Sequence, residues 1–386
     1  MTFVFVVDLK FEKTIMKKIL LAFGASLFLF SASAQVAEYG MKDEIMLDKT
    51  ETKDQCRTGT CWSYSTISFL ESELIRMGKG QHNLSEMFNV RMTYPKKAEM
   101  FLRYQGKYQF GPGSLCHDVI NAMNNYGVIP EAAYTGINYD SERHDHGEMD
   151  AVLEGMMKAL VEKRNAANGD AWRAAVDGVL DAYLGEVPTS FEYEGKKYTP
   201  MSFRDEMGLK ASDYVNLTSF THHPMYAPFV LEVPDNFSQG EFMNVGLDEL
   251  ENTVKYALEN GYTLAWDADV SERGFSFKNG MAIYPAADTP KDVYFKKVLD
   301  EPAVTAEARQ VGFDNYKTTD DHLMHIVGMA KDKNGNGYFI IKNSWGTGNA
   351  TGGLQYVSMA YFRMKTIAIL LHKDGVPKDL RKKLSI

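Results

Sequence analysis

The residue types needed for acyl transfer through a cysteine occur in two stretches that lie far apart in the chain. Gln55 and Cys61 fit the spacing Gln-x5-Cys, and Trp62 follows the cysteine directly. The second stretch carries His325 and then Asn343. A thiol can attack a carbonyl, an imidazole can move its proton, one amide can orient the imidazole and another can bind an oxyanion. The predicted catalytic residues are Cys61, His325, Asn343 and Gln55.

The position predicted for Cys61 favours its thiolate form. Apolar residues recur at near-helical spacing from Cys61 onwards until Gly78, which predicts a helix that begins at the cysteine. Unpaired N–H groups at a helix N-terminus lower the pKa of a thiol, and a neighbouring imidazolium lowers it further. An isolated cysteine is more often an inert buried residue, but Gln55 and Trp62 at these spacings favour a nucleophile.

A hairpin is predicted to bring the imidazole and its orienting amide together. His325 lies in an apolar strand-like segment, and residues 338–342 form a second one after a turn through 332–337. Asn343 would then lie beside His325 and hold one ring nitrogen towards the thiol, while Trp345 shields that bond from water. A lone histidine in an apolar strand is more often structural, but the Asn-Ser-Trp-Gly sequence favours the catalytic interpretation.

Three other polar groupings are predicted to have no catalytic or metal-binding role. His144-Asp145-His146 lies in an acidic loop without further ligands, and His222-His223 precedes a proline without ligand spacing. Asp320-Asp321-His322 could mimic a carboxylate–imidazole pair, but we interpret it as a loop that caps the strand of His325. The chain has neither a phosphate-binding loop nor a Cys-x-x-Cys pair. We expect no metal and no cofactor.

Length and composition predict a large folded domain. The chain has 386 residues, of which 45% are hydrophobic and 12% aromatic, and this excludes a mainly disordered protein. The formal net charge of -9 argues against nucleic acid or an anionic membrane as the main partner.

The N-terminal region predicts export. Met16-Lys17-Lys18 is a basic start, the apolar run Ile19–Phe30 is too short to span a bilayer comfortably, and Ala32-Ser33-Ala34 fits a cleavage site. Residues 16–34 are therefore predicted to be a bacterial signal peptide, with the mature chain in the periplasm or outside the cell. Residues 1–15 fit no signal pattern, which predicts that they precede the true start of translation.

The remaining chain, residues 35–386, shows mixed helix and strand patterns. Ser85 is a plausible helix N-cap. Further helices are predicted at about 114–126, 148–164, 171–184 and 246–260, strands at 263–266, 337–342 and 367–371, and a hairpin at 191–198. The stretch from about 138 to 190 is acidic and rich in Ala, Met and Lys, and it is predicted to be a helical insertion.

Three cysteines leave at least one thiol free in an oxidising compartment. If Cys61 is the nucleophile, a Cys56–Cys116 bridge is the only intramolecular one that leaves it unpaired. The sequence leaves open whether that bridge forms.

These motifs resemble the papain-like cysteine peptidases. The Gln-x5-Cys-Trp motif, Leu-Ser-Glu at 84–86, and a histidine followed by Ile-Lys-Asn-Ser-Trp-Gly-Thr-Gly at 341–348 occur in the family's order. The resemblance implies an α+β, two-lobe fold in which a helical lobe carries Cys61 and a sheet lobe carries His325 and Asn343. The residues that it implies for substrate binding are Gly113, Ser114, Trp62 and Trp345.

A finer resemblance is to the bleomycin hydrolase and aminopeptidase C branch of that family. The separation of Cys61 from His325 is much longer than the roughly 130–150 residues usual for papain-like enzymes, and residues 126–130 and 199–203 are similar to motifs of the branch. The resemblance implies peptide substrates, no cofactor and a possible homo-oligomer. Amide hydrolysis of small molecules and a catalytically silent binding protein remain the alternatives.

In that branch a C-terminal tail enters the cleft and restricts the enzyme to trimming N-termini. Here Val376-Pro377 is followed by a short basic segment that ends at Ile386 and predicts a helical turn. We therefore expect a relaxed restriction, with cleavage of N-terminally blocked peptides.

Overall fold

The computed structural model describes residues 36–163 and 169–386. The predicted signal peptide, the preceding residues 1–15 and most of the linker between the two insertion helices lie outside the described residues. Within the described part of the chain, no helix is both long and apolar enough to cross a membrane.

Helices and strands alternate irregularly along the chain. The helices are α1 Cys61–Arg76, α2 Glu86–Arg103, α3 Cys116–Tyr126, α4 Gly147–Lys163, α5 Ala171–Leu184, α6 Pro200–Met207, α7 Leu247–Glu259, α8 Ala306–Asp314, α9 Met359–Lys365 and α10 Lys378–Leu384. The strands are β1 Lys42–Met46, β2 Phe191–Tyr193, β3 Lys196–Tyr198, β4 Tyr214–Thr218, β5 Pro228–Val230, β6 Glu241–Asn244, β7 Leu264–Ala268, β8 Phe275–Ser276, β9 Met281–Ala282, β10 His322–Lys331, β11 Gly337–Lys342, β12 Leu354–Ser358 and β13 Thr366–His372.

Helix α1 is the central helix of the helical lobe, and it is buried on almost every side. Its small hydroxyl residues allow this burial because their donors are satisfied at close range. Ser63 Oγ donates to Glu86 O at 2.7 Å in α2, and Ser65 Oγ donates to Met324 O at 2.6 Å in β10. The helix begins at Cys61 and ends shortly before Gly78, so the prediction for this element is confirmed.

The sheet lobe is one large mixed sheet with β10 near its centre. The strand order is β5-β6-β4-β13-β7-β10-β11-β12-β9-β8, and β1 pairs with the far end of β10. β10 and β11 form the predicted hairpin, in which His325 pairs with Lys342. One face of the sheet packs on α1 and the helical lobe, and the other face packs on α7, α9 and α10.

The predicted insertion helices are confirmed as α4 and α5, which pack on α2. Each contributes apolar residues spaced by four to the core, such as Met149 and Leu153 in α4 and Val176 and Leu180 in α5. The predicted hairpin at 191–198 is also present as β2 and β3. The insertion therefore extends the helical lobe.

Candidate active site

Cys61 is the first residue of α1, and its side chain is 8% exposed. The indole of Trp62 is completely buried, and its Nε1 donates to Pro112 O at 3.0 Å. Gly59 packs so closely on Pro112 that a Cβ added at Gly59 would lie 2.5 Å from Pro112 Cγ. The run from Gly111 to Gly113 therefore lies against the loop that carries the thiol.

The imidazole that meets the orienting amide belongs to His322. Its Nε2 donates to Asn343 Oδ1 at 2.8 Å, and its ring stacks on Trp345 at 4.5 Å between centroids. The amide itself is fixed, because Asn343 Nδ2 donates to Gln355 Oε1 at 2.6 Å. The tautomer set by Asn343 leaves Nδ1 of His322 to take up a proton. The backbone of Leu323, the next residue, hydrogen-bonds the Cys61 sulfur.

The predicted Asn343–His325 pair is wrong. His325 is fully buried beneath α1, where its Nδ1 lies 2.8 Å from Ser68 Oγ and its ring contacts Phe69 edge-on. The physical reason is strand alternation: His325 pairs with Lys342, so Asn343 projects from the opposite face of the sheet. His322 lies three positions before His325 in the same strand, so its side chain projects from the same face as that of Asn343. Burial holds the pKa of His325 well below its usual range, with smaller contributions from Lys342 and Lys49.

Gln55 is buried where the two halves of the site meet. Its Oε1 accepts from Ser344 Oγ at 2.6 Å, and its Nε2 donates to Thr58 O at 2.7 Å. The carbonyl of Thr58 can only accept, so it fixes which end of the amide is the donor. Nε2 carries a second N–H group that can point into the cleft.

The residues predicted to bind substrate divide into two groups. The side chains of Trp62 and Ser114 are buried, and Ser114 Oγ donates to Asp118 Oδ2 at 2.6 Å, so a substrate contact at Ser114 would have to come from its backbone. Their roles in substrate binding stay predictions. Trp345 is partly exposed but covers His322. At Gly113 an added Cβ would collide with the carboxylate of Asp235.

Burial shifts the pKa values of the thiol and the imidazole in the directions that favour the neutral form of each. Burial raises the pKa of the Cys61 thiol to about 12, the backbone of Leu323 lowers it, and nearby aspartates raise it. Burial likewise lowers the pKa of His322 to about 4, against the opposing effects of Asn343 and Asp321. These shifts oppose the resting thiolate that the sequence predicts.

All three cysteines are free thiols, so the Cys56–Cys116 bridge is not formed. The thiol of Cys56 donates instead to Asp54 O at 3.3 Å.

The fold and this site together define a papain-like cysteine peptidase. The chain belongs to the peptidase C1-like family, whose sequence model matches residues 112–386. It is similar to aminopeptidase G of Lactobacillus delbrueckii subsp. lactis, with 24% identity over 86% of this chain and 83% of that protein. It is also similar to aminopeptidase W of the same organism (23% identity, 87% and 84% covered) and to aminopeptidase C of Listeria monocytogenes serovar 1/2a (21% identity, 87% and 83% covered).

The crystal structure of PepW from Lactobacillus rhamnosis superposes with a TM-score of 0.71 at 16% identity, covering 99% of this chain and 95% of that one. The predicted α+β papain-like fold and the resemblance to the aminopeptidase C branch are confirmed. The protein is a cysteine peptidase that acts on peptide bonds.

Proposed function

We propose that the protein cleaves peptide bonds through a thioester on Cys61, with His322 as the proton carrier. The observation that carries this proposal is the hydrogen bond from His322 Nε2 to Asn343 Oδ1. It fixes the ring so that Nδ1 remains to exchange protons, and the residue after His322 hydrogen-bonds the Cys61 sulfur. Nucleophile, base and orienting group are therefore neighbours in the order that cysteine catalysis needs.

Each catalytic step then has a residue to perform it. Cys61 transfers its proton to His322 and attacks the peptide carbonyl as a thiolate. The Cys61 backbone N–H, which has no acceptor within the helix, and Gln55 Nε2 stabilise the oxyanion, an effect of about 3 kcal/mol per donor. His322 protonates the leaving amine, and it then takes a proton from the water that hydrolyses the thioester.

The test is a set of single cysteine replacements. Cys61→Ala should abolish peptide hydrolysis, with an unchanged melting temperature. Cys56→Ser and Cys116→Ser are the matched controls and should stay within a few fold of the wild type. A slowly deacylating peptide ester should add its acyl mass to the fragment that contains Cys61. Substantial hydrolysis by Cys61→Ala would overturn the mechanism.

We also propose that the enzyme acts outside the bacterial cytoplasm, and the signal-like sequence at residues 16–34 supports this. Expression in a Gram-negative host followed by N-terminal sequencing of the periplasmic fraction should give a chain that begins at Gln35. An uncleaved chain in the cytoplasmic fraction would refute export. Homo-oligomer formation stays a prediction, which light scattering can measure on the same sample.

A further inference from the structure

Two adjacent histidines and a glutamate meet at the surface of the sheet lobe, beside β5. His222 and His223 lie in the connection from β4 to β5, and Glu232 lies two residues after β5. Nε2 of His222 is 3.2 Å from Glu232 Oε2, and Nε2 of His223 is 2.6 Å from Glu232 Oε1. The ligand atoms that these three side chains offer all lie within 4.8 Å of one another. Two imidazoles and a carboxylate therefore face one common point.

The backbone that carries the two histidines is held by a buried amide. Asn244 in β6 is completely buried, and its Nδ2 donates to Phe220 O at 2.8 Å and to His223 O at 3.0 Å. Its Oδ1 accepts from Phe220 N at 2.9 Å. The ring of His223 also stacks on Phe229, the central residue of β5, with 4.1 Å between the ring centroids. The connection and one of its imidazoles are thus held in place by contacts other than those with Glu232.

The second imidazole is oriented from behind by Gln310 in α8. Gln310 Oε1 accepts from Thr221 N at 2.6 Å and Gln310 Nε2 donates to Asp314 Oδ1 at 2.8 Å, so the orientation of the amide is fixed. Nδ1 of His222 lies 3.3 Å from the same Oε1. An imidazole that gives its Nδ1–H group to an oxygen has a lone pair on Nε2, and histidines that bind metals are usually held by such a partner.

His222 faces more acceptors than a neutral imidazole can satisfy. Its two ring nitrogens lie near Gln310 Oε1 and Glu232 Oε2, whereas a neutral ring has one N–H group. When Nδ1 carries that hydrogen, the lone pair of Nε2 faces the carboxylate oxygen. A metal ion between Nε2 and Glu232 replaces this repulsive contact by two coordinate bonds. A second ring proton would also satisfy both oxygens, and a zinc titration separates these two cases.

The donor atoms and their exposure select the kind of metal. Two imidazole nitrogens and one carboxylate oxygen suit zinc, whereas Mg²⁺ and Ca²⁺ prefer oxygen ligands throughout. Tetrahedral zinc places neighbouring ligand atoms about 3.4 Å apart, so the three side chains need only small rotations to bind it. The side chains of His222 and His223 are 32% and 30% exposed, and that of Glu232 is 51% exposed. An ion can therefore enter from solvent, and water can fill the fourth position.

We propose that His222, His223 and Glu232 bind a zinc ion, with water as the fourth ligand and Gln310 as a positioning residue. The role of the ion is structural, because it joins the connection before β5 to the segment after it. The site shares no residue with the proposed active site and does not depend on the proposed function. The sequence alone favoured no metal at the histidine pair, since the third ligand follows His223 by nine residues and forms no recognisable motif with it.

Titration calorimetry with zinc chloride tests the site in untagged Cys61→Ala protein that a chelator has freed of metal. This parent variant lacks the thiol that would itself attract zinc. It should bind one equivalent with micromolar or tighter affinity. His223→Ala and Glu232→Gln, each added to the parent, should weaken binding about 10-fold or more, and so should Gln310→Ala. Gln310→Glu keeps an acceptor for Nδ1 of His222 and should restore the affinity, while the exposed Glu259→Gln is the matched control.

Thermal unfolding separates lost ligands from a folding defect. Zinc should raise the melting temperature of the parent by about 2 °C or more, whereas Mg²⁺ should not, and neither ion should raise that of a well-folded Glu232→Gln variant. A parent that binds no zinc would overturn the site and leave only a hydrogen-bonded imidazolium–carboxylate group. Unchanged binding in both His223→Ala and Glu232→Gln would also overturn it, because the zinc would then lie elsewhere. Peptide hydrolysis is not measured, so a failure of the proposed function would leave these results unaffected.

Discussion

Two histidines three positions apart in β10 differ in their partners because a strand turns alternate side chains to opposite faces. His322 faces Asn343 and Trp345, whereas His325 faces Ser68 in α1. The sequence already contained the information that separates the two histidines. Once the turn at 332–337 pairs Lys342 with His325, the next residue, Asn343, must lie on the other face. The residue types at the candidate site were predictable, but identifying the histidine that meets Asn343 required the register.

Replacing each histidine separately tests this assignment. His322→Ala should reduce kcat by at least 10²–10⁴-fold with little change in stability, because general acid–base catalysis is worth about that much. His325→Ala should keep most of the activity per folded molecule but lose about 1–3 kcal/mol of stability, since it leaves Ser68 unpaired in the core. Peptide hydrolysis and urea unfolding measure the two effects. A greater loss of kcat in His325→Ala than in His322→Ala would contradict the assignment of His322 as the partner of Asn343.

The pH dependence of catalysis should reflect the burial of His322. This histidine must be neutral to accept the proton of Cys61, and burial lowers its pKa to about 4. Its capacity to accept a proton is therefore present at neutral pH and is lost only as the pH falls through about 4. We expect the acid limb of kcat/KM for an acetylated substrate well below pH 6.5. An acid limb of kcat/KM near pH 6.5 would contradict the buried environment of His322, provided that the enzyme recovers full activity when it is returned to pH 7.

At the scale of elements, local patterns predicted single helices and strands well but not their partners. The N-cap at Ser85 is confirmed by the bond from Phe88 N to Ser85 Oγ at 3.1 Å, and helix periodicity gave α1, α5 and α7 within about a residue or two. The pairing of Asp267 with Leu323 joins strands far apart in the chain. No local pattern contains that information, so the position of Asp267 beside the strand of His322 could not be predicted.

The β10–β11 turn sets the register on which the site depends. Asp332 Oδ1 accepts from the backbone of Asn334 at 2.8 Å and Asn336 at 2.9 Å, and Asp332 is itself buried. Asp332→Ala should cost about 1–3 kcal/mol, because it leaves these donors unpaired. Denaturant unfolding gives the value, with the exposed neighbour Lys333→Ala as the control. Equal stability of the two variants would show that the turn does not depend on this carboxylate.

At the scale of the whole molecule, the resemblance in three separated motifs predicted the two-lobe fold correctly. It did not predict the contacts that the loop of residues 231–240, between β5 and β6, makes with the helical lobe. The contacts of that loop, such as Gln239 with Tyr104 and Tyr108, are between single polar side chains. Such contacts have no periodicity for sequence reasoning to detect.

Glu301 should contribute to the pH dependence of the free energy of unfolding. This residue joins two segments of the sheet lobe. Its Oε2 accepts from Tyr284 N at 2.9 Å and Ser358 Oγ at 2.5 Å, and burial raises its pKa to about 7. The folded state therefore binds more protons than the unfolded state between about pH 4.5 and 7, so stability falls by about 1–3 kcal/mol as the pH rises through that window.

Glu301→Gln cannot ionise, and its stability should change less than that of the wild type between pH 4.5 and 7. Urea unfolding at several pH values measures the slope, and the exposed Glu192→Gln serves as the control that keeps the wild-type slope. An identical slope in Glu301→Gln would mean that other groups carry the dependence.

The contacts of residues 231–240, which connect β5 to β6, have a mechanical consequence. Gln239 in this segment of the sheet lobe donates to the hydroxyl groups of Tyr104 at 2.5 Å and Tyr108 at 3.0 Å in the helical lobe. The two lobes are therefore linked at this point, and a rigid-body separation of the lobes would have to break both hydrogen bonds.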